Sequence, residues 1–330
     1  MPEADHSPLS DHRSSDEPSA VALLLAGDTS GRNGDDAAVL RVPGGLCCVT
    51  TDTAIEGVHL LPAMSPREMG YRAAACALSD LAGMAATALA VVCAVSVPEG
   101  RWGDVPAIAA GVRERCAELG CDLVGGDLTA AAASGDAAPL SITITCVGTG
   151  PGVGRNGLLS RAGARAGDAL YVTGQLGSSQ AGLEQLRTGI DTGLATSYLR
   201  PPLRQLAARA LAAHASSMID VSDGIASDVR RLADGSGCGF TVELSDLPID
   251  PAVAAQLSLH GDPAVIAATA GDDYELLLTA SPDDEQALRA ALQRADTELE
   301  LTKIGAVADI GITYTQHGAR VDGLCGYSHP

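Results

Sequence analysis

The stretch MIDVSDGIASDVRRLA, which spans residues 218–233, decides the fold class of this chain of 330 residues. Residues 218–221 are predicted to form a short strand and residues 225–233 a helix. A loop that contains Ser222 and Asp223 joins the two elements. The same alternation of strands and helices recurs in both halves of the chain, which indicates an α/β or α+β protein.

The N-terminal half contains its own strand and helix signals. A strand pair is predicted at 37–42 and 46–51, with a proline and two glycines forming the turn between them. Ser65 is predicted to cap a helix, because Pro66 follows at the first helical position and Glu68 at the third. Strands and helices therefore alternate on this side of the chain as well.

Composition divides the chain into three parts. Residues 1–19 are polar and acidic and are expected to form a disordered tail. The segment 148–157 contains five glycines and a proline, which makes it the best candidate for a domain boundary. We therefore expect an N-terminal domain at 20–152 and a C-terminal domain at 153–330, since the chain is long enough for two cores.

The charge and cysteine content of the chain exclude several classes of partner. With 21 basic and 41 acidic residues the net charge is −20, and such a surface repels nucleic acid and anionic membranes. No apolar run reaches the roughly 18 to 20 residues that a membrane helix needs. The nine cysteines include no CxxC pair, which is typical of a reducing compartment and predicts a cytoplasmic protein.

Aspartates are concentrated at predicted strand ends and in glycine turns. A further aspartate, Asp80, lies on the apolar face of the helix that begins after Ser65. Each aspartate taken alone is explained equally well as part of a turn or as a helix cap as by a role in metal binding. Together they need cations, because two carboxylates about 4 Å apart repel by roughly 4 kcal/mol at a dielectric constant of 20. Oxygen ligands without His or Cys favour Mg²⁺.

Aspartates with Mg²⁺ commonly serve phosphate chemistry, but the chain has no GxxxxGK[ST] loop. Its single lysine, Lys303, leaves arginine, backbone N–H groups and cations to meet phosphate charge. Arg161 is a candidate phosphate ligand, although a solvated surface arginine is an equally good interpretation of it. The glycine-rich run at 148–154 lacks the following helix of a dinucleotide-binding loop.

The acidic motifs occur in an order that resembles thiamine-monophosphate kinases, a family of the aminoimidazole ribonucleotide synthetase-like superfamily. The resemblance covers about residues 33–329, and the ordered set is more specific than any single member of it. The motifs are Asn33-Gly34-Asp35-Asp36-Ala37-Ala38-Val39, Thr50-Thr51-Asp52-Thr53, Glu56-Gly57-Val58-His59, Leu78-Ser79-Asp80-Leu81-Ala82, Val124-Gly125-Gly126-Asp127, Ile219-Asp220-Val221-Ser222-Asp223-Gly224 and Gly271-Asp272-Asp273-Tyr274-Glu275-Leu276.

The resemblance implies a two-domain fold of the aminoimidazole ribonucleotide synthetase type, α/β (α+β) in class. Its N-terminal α+β domain would form a homodimer through its sheet, and its C-terminal domain would be α/β. ATP and several Mg²⁺ ions would lie in the cleft between the domains. The implied reaction is direct in-line transfer of the γ-phosphoryl group of ATP to thiamine monophosphate, giving thiamine diphosphate.

The resemblance also assigns roles to individual residues. The implied metal ligands are Asp36, Thr50, Thr51, Asp52, Asp80, Asp127, Asp220 and Asp223. The implied catalytic residues are Asp52, Asp127 and Asp220. The implied nucleotide contacts are Gly126, Asp127, Arg161 and Ser222, and the implied acceptor contacts are His59, Asp272 and Tyr327.

Several positions depart from the family pattern, three of them at or beside predicted site residues, and two other interpretations stay open. Leu128 stands where a threonine is usual, Asp272 where a glutamate is usual and Tyr327 where a tryptophan is usual. The first alternative is another ATP-dependent enzyme of the superfamily; residues 1–46 lack the Cys and Lys of a selenophosphate synthetase, and the residues after Cys325 do not match a hydrogenase maturation factor. The second is a non-enzymatic acidic metal-binding protein.

Overall fold

The computed structural model describes residues 34–131, 138–150, 152 and 157–327. The predicted tail at 1–19 lies outside the described residues, as does part of the glycine-rich boundary. Within the described ranges the chain forms two mixed sheets with helices packed against them, which confirms the predicted α/β class. No helix in those ranges combines the length and apolar character needed to cross a membrane.

Five strands and two helices make up the N-terminal half of the described chain. They are β1 (Ala38–Val42), β2 (Gly45–Ile55), α1 (Pro66–Gly83), β3 (Thr87–Val97), α2 (Val105–Glu118), β4 (Asp122–Ala130) and β5 (Ser141–Gly150), with a 3₁₀ turn at Trp102–Asp104. The strand order is β1-β2-β5-β3-β4, and only β3 and β4 run parallel. The predicted strand pair is confirmed, and β2 continues to Ile55.

The second sheet follows in the C-terminal half, in the order β12-β11-β8-β10-β6-β9-β7. The predicted domain division at 152–153 falls between β5 and β6, which is the first strand of this sheet along the chain, and it stays a prediction. The elements are β6 (Ala169–Thr173), α3 (Ser178–Thr188), α4 (Ala195–Leu199), α5 (Gln205–Leu211), β7 (Ser217–Asp220), α6 (Ile225–Ser236), β8 (Gly239–Glu243), α7 (Pro251–Leu257), α8 (Pro263–Thr269), β9 (Leu276–Ala280), α9 (Glu285–Ala295), β10 (Leu301–Ala308), β11 (Ile312–Gln316) and β12 (Ala319–Val321), with 3₁₀ turns at Leu244–Asp246 and Pro282–Asp284.

Helix α1 begins with the predicted capping box. The Ser65 hydroxyl accepts a hydrogen bond from the Glu68 amide at 3.3 Å, and the Glu68 carboxylate accepts one from the Ser65 amide at 2.7 Å. These two bonds satisfy backbone donors that a helix start otherwise leaves unpaired. The cap therefore fixes where α1 begins, and with it the position of every residue along the helix.

Helix α1 packs against both halves of the molecule. Leu78 and Leu81 are fully buried in the core of the first sheet. Ala82, in the last turn of α1, and Ala85, just beyond the end of the helix, belong to a cluster with residues of the second sheet and α5. The Gln205 side chain also donates to the Leu78 carbonyl across this contact at 2.8 Å. The last two turns of α1 therefore lie where the two halves meet.

The stretch that begins at residue 218 folds as predicted, with β7 leading through a short loop into α6. Gly224 precedes the helix with a φ of 93°, in the left-handed region that favours glycine. A Cβ at this position would lie only 2.6 Å from the Ala270 carbonyl oxygen. Glycine is required here because the loop passes directly against the segment that leads into residues 271–274.

Candidate active site

A cavity of about 720 Å³ lies between the N-terminal and C-terminal halves of the described chain. The second half of β2, helix α1, the loop after β7, the turn at 271–274 and residue 327 contribute to its walls. Eight of the residues implicated by the sequence line it: Thr51, Asp52, His59, Asp80, Ser222, Asp223, Asp272 and Tyr327. Residues far apart in the sequence thus share one concave site.

Two predicted metal ligands that do not line the cavity, Asp220 and Thr50, are hydrogen-bonded to side chains of α1. Asp220, at the end of β7, accepts a hydrogen bond from the Ser79 hydroxyl at 2.6 Å. On the next residue of the helix, Asp80 accepts one from the Thr50 hydroxyl at 2.5 Å. Thr50 and Asp52 are two residues apart on β2, so their side chains lie on the same face of the strand, toward α1.

The carboxylates of this region raise one another's pKa. Burial raises the pKa of Asp52 to about 6, and the charges of Asp220 and Asp223 add to the effect. Burial also raises the pKa of Asp80 well above its ordinary value, followed by the charges of Asp52, Asp220 and Asp36. Each ionised form is disfavoured by its surroundings. The cluster is therefore short of positive charge.

Arg161 supplies part of the missing charge on one side of the cluster. Its guanidinium donates twice to Asp36 Oδ1, at 2.7 and 2.9 Å, and its amide donates to Asp35 at 2.6 Å. Burial nevertheless raises the pKa of Asp36 to about 7. The second oxygen, Asp36 Oδ2, is buried without a hydrogen-bond partner. A buried acceptor in this state is costly and is suited to a cation.

The predicted aspartate ligands do not form one closed cage. Asp52, Asp80 and Asp223 line the cavity, whereas Asp36 and Asp220 are not part of its lining. Within the described ranges, no three His, Cys, Asp or Glu side chains converge as a preformed site for one metal ion.

Arg231, on α6, is a charged partner that the sequence did not single out. It pairs with Asp223, a predicted metal ligand, and it donates to Asp228 at 2.5 Å. Asp228 is fully buried and also accepts from the Asp223 amide at 3.2 Å. An arginine on an amphipathic helix is ordinarily solvated. Only the fold brings Arg231 to the loop between β7 and α6, residues 221–224, which we call the aspartate loop.

The cavity is lined by all three residues that the resemblance assigned to the acceptor: His59, Asp272 and Tyr327. His59 Nδ1 accepts a hydrogen bond from the Ile55 amide at 3.2 Å, so in the neutral ring the proton lies on Nε2. Tyr327 is 45% exposed. Three backbone hydrogen bonds join the turn at 271–274 and residue 327 to the aspartate loop. The Asp272 amide donates to the Ser222 carbonyl and the Tyr274 amide to the Val221 carbonyl, both at 2.8 Å. The Tyr327 amide donates to the Asp223 carbonyl at 3.0 Å.

Arg72 is a second residue that the sequence did not single out. It lies on α1, and its guanidinium pairs with the Asp272 carboxylate at 2.7 Å. The Tyr274 hydroxyl donates to the other oxygen of Asp272 at 2.8 Å. Arg72, Tyr198 and Tyr274 line the same cavity as Asp272. This part of the cavity wall is thus built on a buried arginine.

Gly126 and Asp127 lie apart from this cavity. They are on β4, which is three strands from β2, or about 14 Å at the usual strand spacing. Asp127 is in register with Ala94, Thr143 and Thr53, and these side chains share a face of the sheet. Asp52 is one residue from Thr53 and faces the other way. The roles predicted for Gly126 and Asp127 stay predictions.

Comparison with family models gives two adjacent matches. Residues 34–149 match the N-terminal domain of AIR synthase related proteins, and residues 165–315 match their C-terminal domain. The two matches correspond to the two sheets of the fold.

Curated relatives and solved structures agree with this assignment. The chain is 33% identical to the thiamine-monophosphate kinase of Halobacterium salinarum over 92% of this chain and 95% of that one. It is also 33% identical to the enzyme of the same name from Escherichia coli K12, over 88% and 85%. A structure described as AaThiL complexed with AMPPCP and TMP superposes with a TM-score of 0.82 and 27% identity, covering 95% and 97% of the chains. The thiamine-monophosphate kinase structure from Stenotrophomonas maltophilia K279a has a TM-score of 0.74 and 31% identity, over 92% and 95%.

Proposed function

The chain belongs to the thiamine-monophosphate kinase family of AIR synthase related proteins, and on that premise we propose that it transfers the γ-phosphoryl group of ATP to thiamine monophosphate. The products are thiamine diphosphate and ADP. The observation that carries the proposal is a single cavity that joins a cluster of aspartates to the acceptor-side residues His59, Asp272 and Tyr327. A kinase that joins two phosphates needs both features side by side.

The chemistry calls for alignment and charge neutralisation more than for a base. The acceptor is a phosphate that is already anionic, so no side chain needs to remove a proton from it before attack. Direct in-line transfer then depends on holding the acceptor oxygen and the γ-phosphorus in line and on stabilising the spread of negative charge. The aspartates repel both substrates unless cations are bound.

The residues present fit several Mg²⁺ ions. The unpartnered Asp36 Oδ2 and the raised pKa values of Asp52 and Asp80 both favour a bound cation. The ligands would come from Asp36, Thr50, Thr51, Asp52, Asp80, Asp127, Asp220 and Asp223. When bound, Mg²⁺ supplies the positive charge that phosphoryl transfer requires. Asp52, Asp127 and Asp220 would contribute most to catalysis, because they would hold these ions.

Nucleotide binding would involve Gly126, Asp127, Arg161 and Ser222. The Arg161 guanidinium donates two hydrogen bonds to Asp36. A cation on Asp36 would free these N–H donors to bind a phosphate oxygen. The planar guanidinium of arginine is well suited to bidentate hydrogen bonds of this kind. On the acceptor side, His59 and Asp272 would contact thiamine monophosphate, and Tyr327 would present its ring to the cationic thiazolium.

The N-terminal domain, 20–152, would also form a homodimer. Along β5 the side chains that face α1 are fully buried, whereas Thr143, Thr145 and Val147 on the other face are only half-buried. Val92 on β3 is 36% exposed on that same open face, in register with Thr145. Among the residues that the structure describes, no layer covers this sheet face of threonine and valine, and such a face suits a second copy of the chain.

A product assay tests the proposed reaction. The purified chain is incubated with ATP, MgCl₂ and thiamine monophosphate, and thiamine diphosphate and ADP are quantified by chromatography. Equal amounts of both products are expected, together with loss of turnover in EDTA. The Asp52→Asn variant should lose at least about 100-fold in kcat, on the order of 2.7 kcal/mol for one electrostatic contact in a closed site.

Two outcomes would contradict the proposal. ADP release that does not depend on thiamine monophosphate would indicate a different acceptor within the superfamily. A folded Asp52→Asn variant with wild-type turnover would remove the aspartate cluster from the reaction.

A further inference from the structure

Arg72 is among the most completely buried charged side chains of the described residues. It lies in the second turn of α1 with 2% of its surface exposed, yet it borders the central cavity. A guanidinium removed from water is costly unless its charge is paired and its N–H groups are hydrogen-bonded. The partners of Arg72 therefore indicate what the burial of this charge achieves.

The guanidinium of Arg72 contacts three separate segments of the acceptor wall. It pairs with Asp272 Oδ2 at 2.7 Å, and it donates to the Tyr198 carbonyl at 2.5 Å and to the His59 carbonyl at 3.4 Å. It also stacks on the Tyr198 ring, with 3.7 Å between the guanidinium carbon and the ring centroid. The Tyr198 hydroxyl in turn donates to the same His59 carbonyl at 2.8 Å. One side chain thus joins the loop after β2, helix α4 and the turn at 271–274.

The turn that carries Asp272 needs such support. Asp272 has a φ of 71° and Tyr274 a φ of 51°, so two non-glycine residues lie in the left-handed region. Each is disfavoured there and persists only where the surroundings hold it. Both oxygens of Asp272 are occupied, one by Arg72 and the other by the Tyr274 hydroxyl. The carboxylate therefore anchors the turn.

We propose that Arg72 is a positioning residue for the acceptor, whose guanidinium holds the Asp272 turn and the His59 loop in place on the cavity wall. This inference rests on the proposed function, because it names the part of the site that receives thiamine monophosphate. It also changes the role of Asp272. A carboxylate paired on both oxygens shapes the pocket and offers little unpaired charge to a thiazolium.

Lysine is not an equivalent of Arg72 at this position. The contacts with Asp272, Tyr198 and His59 point in different directions, and together with stacking on a ring they require the planar guanidinium group with its several N–H donors. An ammonium group would keep the charge opposite Asp272 but lose the stacking and part of the carbonyl contacts. Removing the charge altogether would leave Asp272 without its ion-pair partner, so the turn would lose its anchor.

The test compares steady-state kinetics of the full chain and four variants: Arg72→Met, Arg72→Lys, Asp272→Asn and the Arg72→Met/Asp272→Asn double variant. Wild-type formation of thiamine diphosphate is measured first, which separates failure of the proposed function from failure of this inference. Arg67→Met is the matched control, because Arg67 lies on the same helix with 61% of its side chain exposed and pairs with Glu114 at the surface. The control should have wild-type kinetics.

The expected result is a split between the two substrates. Arg72→Met and Asp272→Asn should each raise the KM for thiamine monophosphate by about tenfold or more, as a misplaced binding group does, and leave the KM for ATP unchanged. The KM of Arg72→Lys for thiamine monophosphate should lie between that of Arg72→Met and that of the wild type. The double variant should be no worse than the poorer single variant, because both changes break the same pair.

Three results would overturn the inference. They are parallel increases in both KM values, unchanged kinetics in Arg72→Met, and fully additive effects in the double variant. If Arg72→Met does not fold, the Lys and Asn variants carry the test, and wild-type KM values for thiamine monophosphate in both would be decisive against it.

Discussion

Asp52 has a raised pKa that predicts a measurable pH dependence of stability. Burial and the charges of Asp220 and Asp223 raise its pKa from 3.8 to about 6. Between these two values the folded, metal-free protein binds more protons at this site than the unfolded chain does. The contribution of Asp52 to the free energy of unfolding therefore falls as pH rises through this window and stays low above it.

The variant Asp52→Asn removes this contribution while keeping the shape of the side chain. In EDTA, variant and wild type should melt at similar temperatures at about pH 4, and the variant should melt higher at about pH 7. Circular dichroism melts across this range measure the difference. A variant that melts below the wild type at the upper pH would mean that ionised Asp52 stabilises the metal-free fold.

Tyr327 carries a prediction about the acceptor alone. Its ring lies at the cavity wall and is 45% exposed, and an aromatic face attracts a cationic ring by roughly 0.5 to 2 kcal/mol. Tyr327→Ala should therefore raise the KM for thiamine monophosphate several-fold with little change in the KM for ATP, whereas Tyr327→Trp should keep the affinity. Unchanged KM values after removal of residues 326–330 would show that the chain end does not serve the acceptor.

Sequence patterns located the acidic residues of the site better than its arginines. Asp52, Asp80 and Asp223 were recognisable because they stand at strand ends or on an apolar helix face, where an acid is unusual. Arg72 and Arg231 were not, because an arginine on a helix is normally solvated and its neighbours in space come from other segments. Their partners depend on how α1 and α6 pack, which no local pattern specifies.

At the scale of elements, the end of α1 is packed tightly against two predicted metal ligands. A Cβ on Gly83 would lie 2.0 Å from Asp36 Oδ2 and 3.0 Å from the backbone nitrogen of Asp220. The Asp36 carboxylate is tied to Arg161 and cannot simply rotate away. The last turn of α1 therefore leaves no room for a methyl group.

Gly83→Ala should lower stability despite the better helix propensity of alanine. The propensity gain is about 1 kcal/mol, and overpacking against fixed groups costs typically 1–3 kcal/mol. The variant should melt below the wild type and lose affinity for Mg²⁺, measured by calorimetry. Gly103→Ala is the control, since a Cβ there meets nothing within 4 Å. Equal melting temperatures for the two variants would contradict this account of the packing.

The existence of elements was more predictable than their extent. The capping box at Ser65 and Glu68 specified the start of α1, because the cap is a local interaction. The continuation of β2 to Ile55 was not predicted, because residues 52–55 are held by pairing with β5, a strand almost a hundred residues away. Local chemistry determines where elements begin, and partners determine how far they run.

At the scale of the whole molecule, the open face of the first sheet predicts the oligomeric state. The wild type should have twice the chain mass of 33.2 kDa by light scattering at micromolar concentration. Val92→Asp places a charge on that face and should give the monomer mass. Leu259→Asp is the control, because this leucine is 73% exposed in the C-terminal half. A monomeric wild type would refute the dimer.

Asp127 illustrates why a motif does not specify its own surroundings. Its sequence context, Gly125-Gly126-Asp127, resembles the other acidic motifs, but the register of β4 directs its side chain to the open face of the sheet. Asp52 faces α1 instead. A shift of one residue in register would exchange these faces.

Three backbone hydrogen bonds join the aspartate loop to the proposed acceptor side, and from them we predict that binding at the two places is mutually dependent. Because the carbonyls of residues 221–223 accept hydrogen bonds from the turn at 271–274 and from residue 327, an adjustment of that loop on binding Mg²⁺ should be passed to the proposed acceptor wall. A coupling free energy of this kind is reciprocal. Bound Mg²⁺ should increase the affinity for thiamine monophosphate, and bound thiamine monophosphate should increase the affinity for Mg²⁺ by the same factor. Calorimetric titrations in both orders would measure the two affinities without any turnover. Equal affinities with and without the other ligand would mean that the two places act as independent sites.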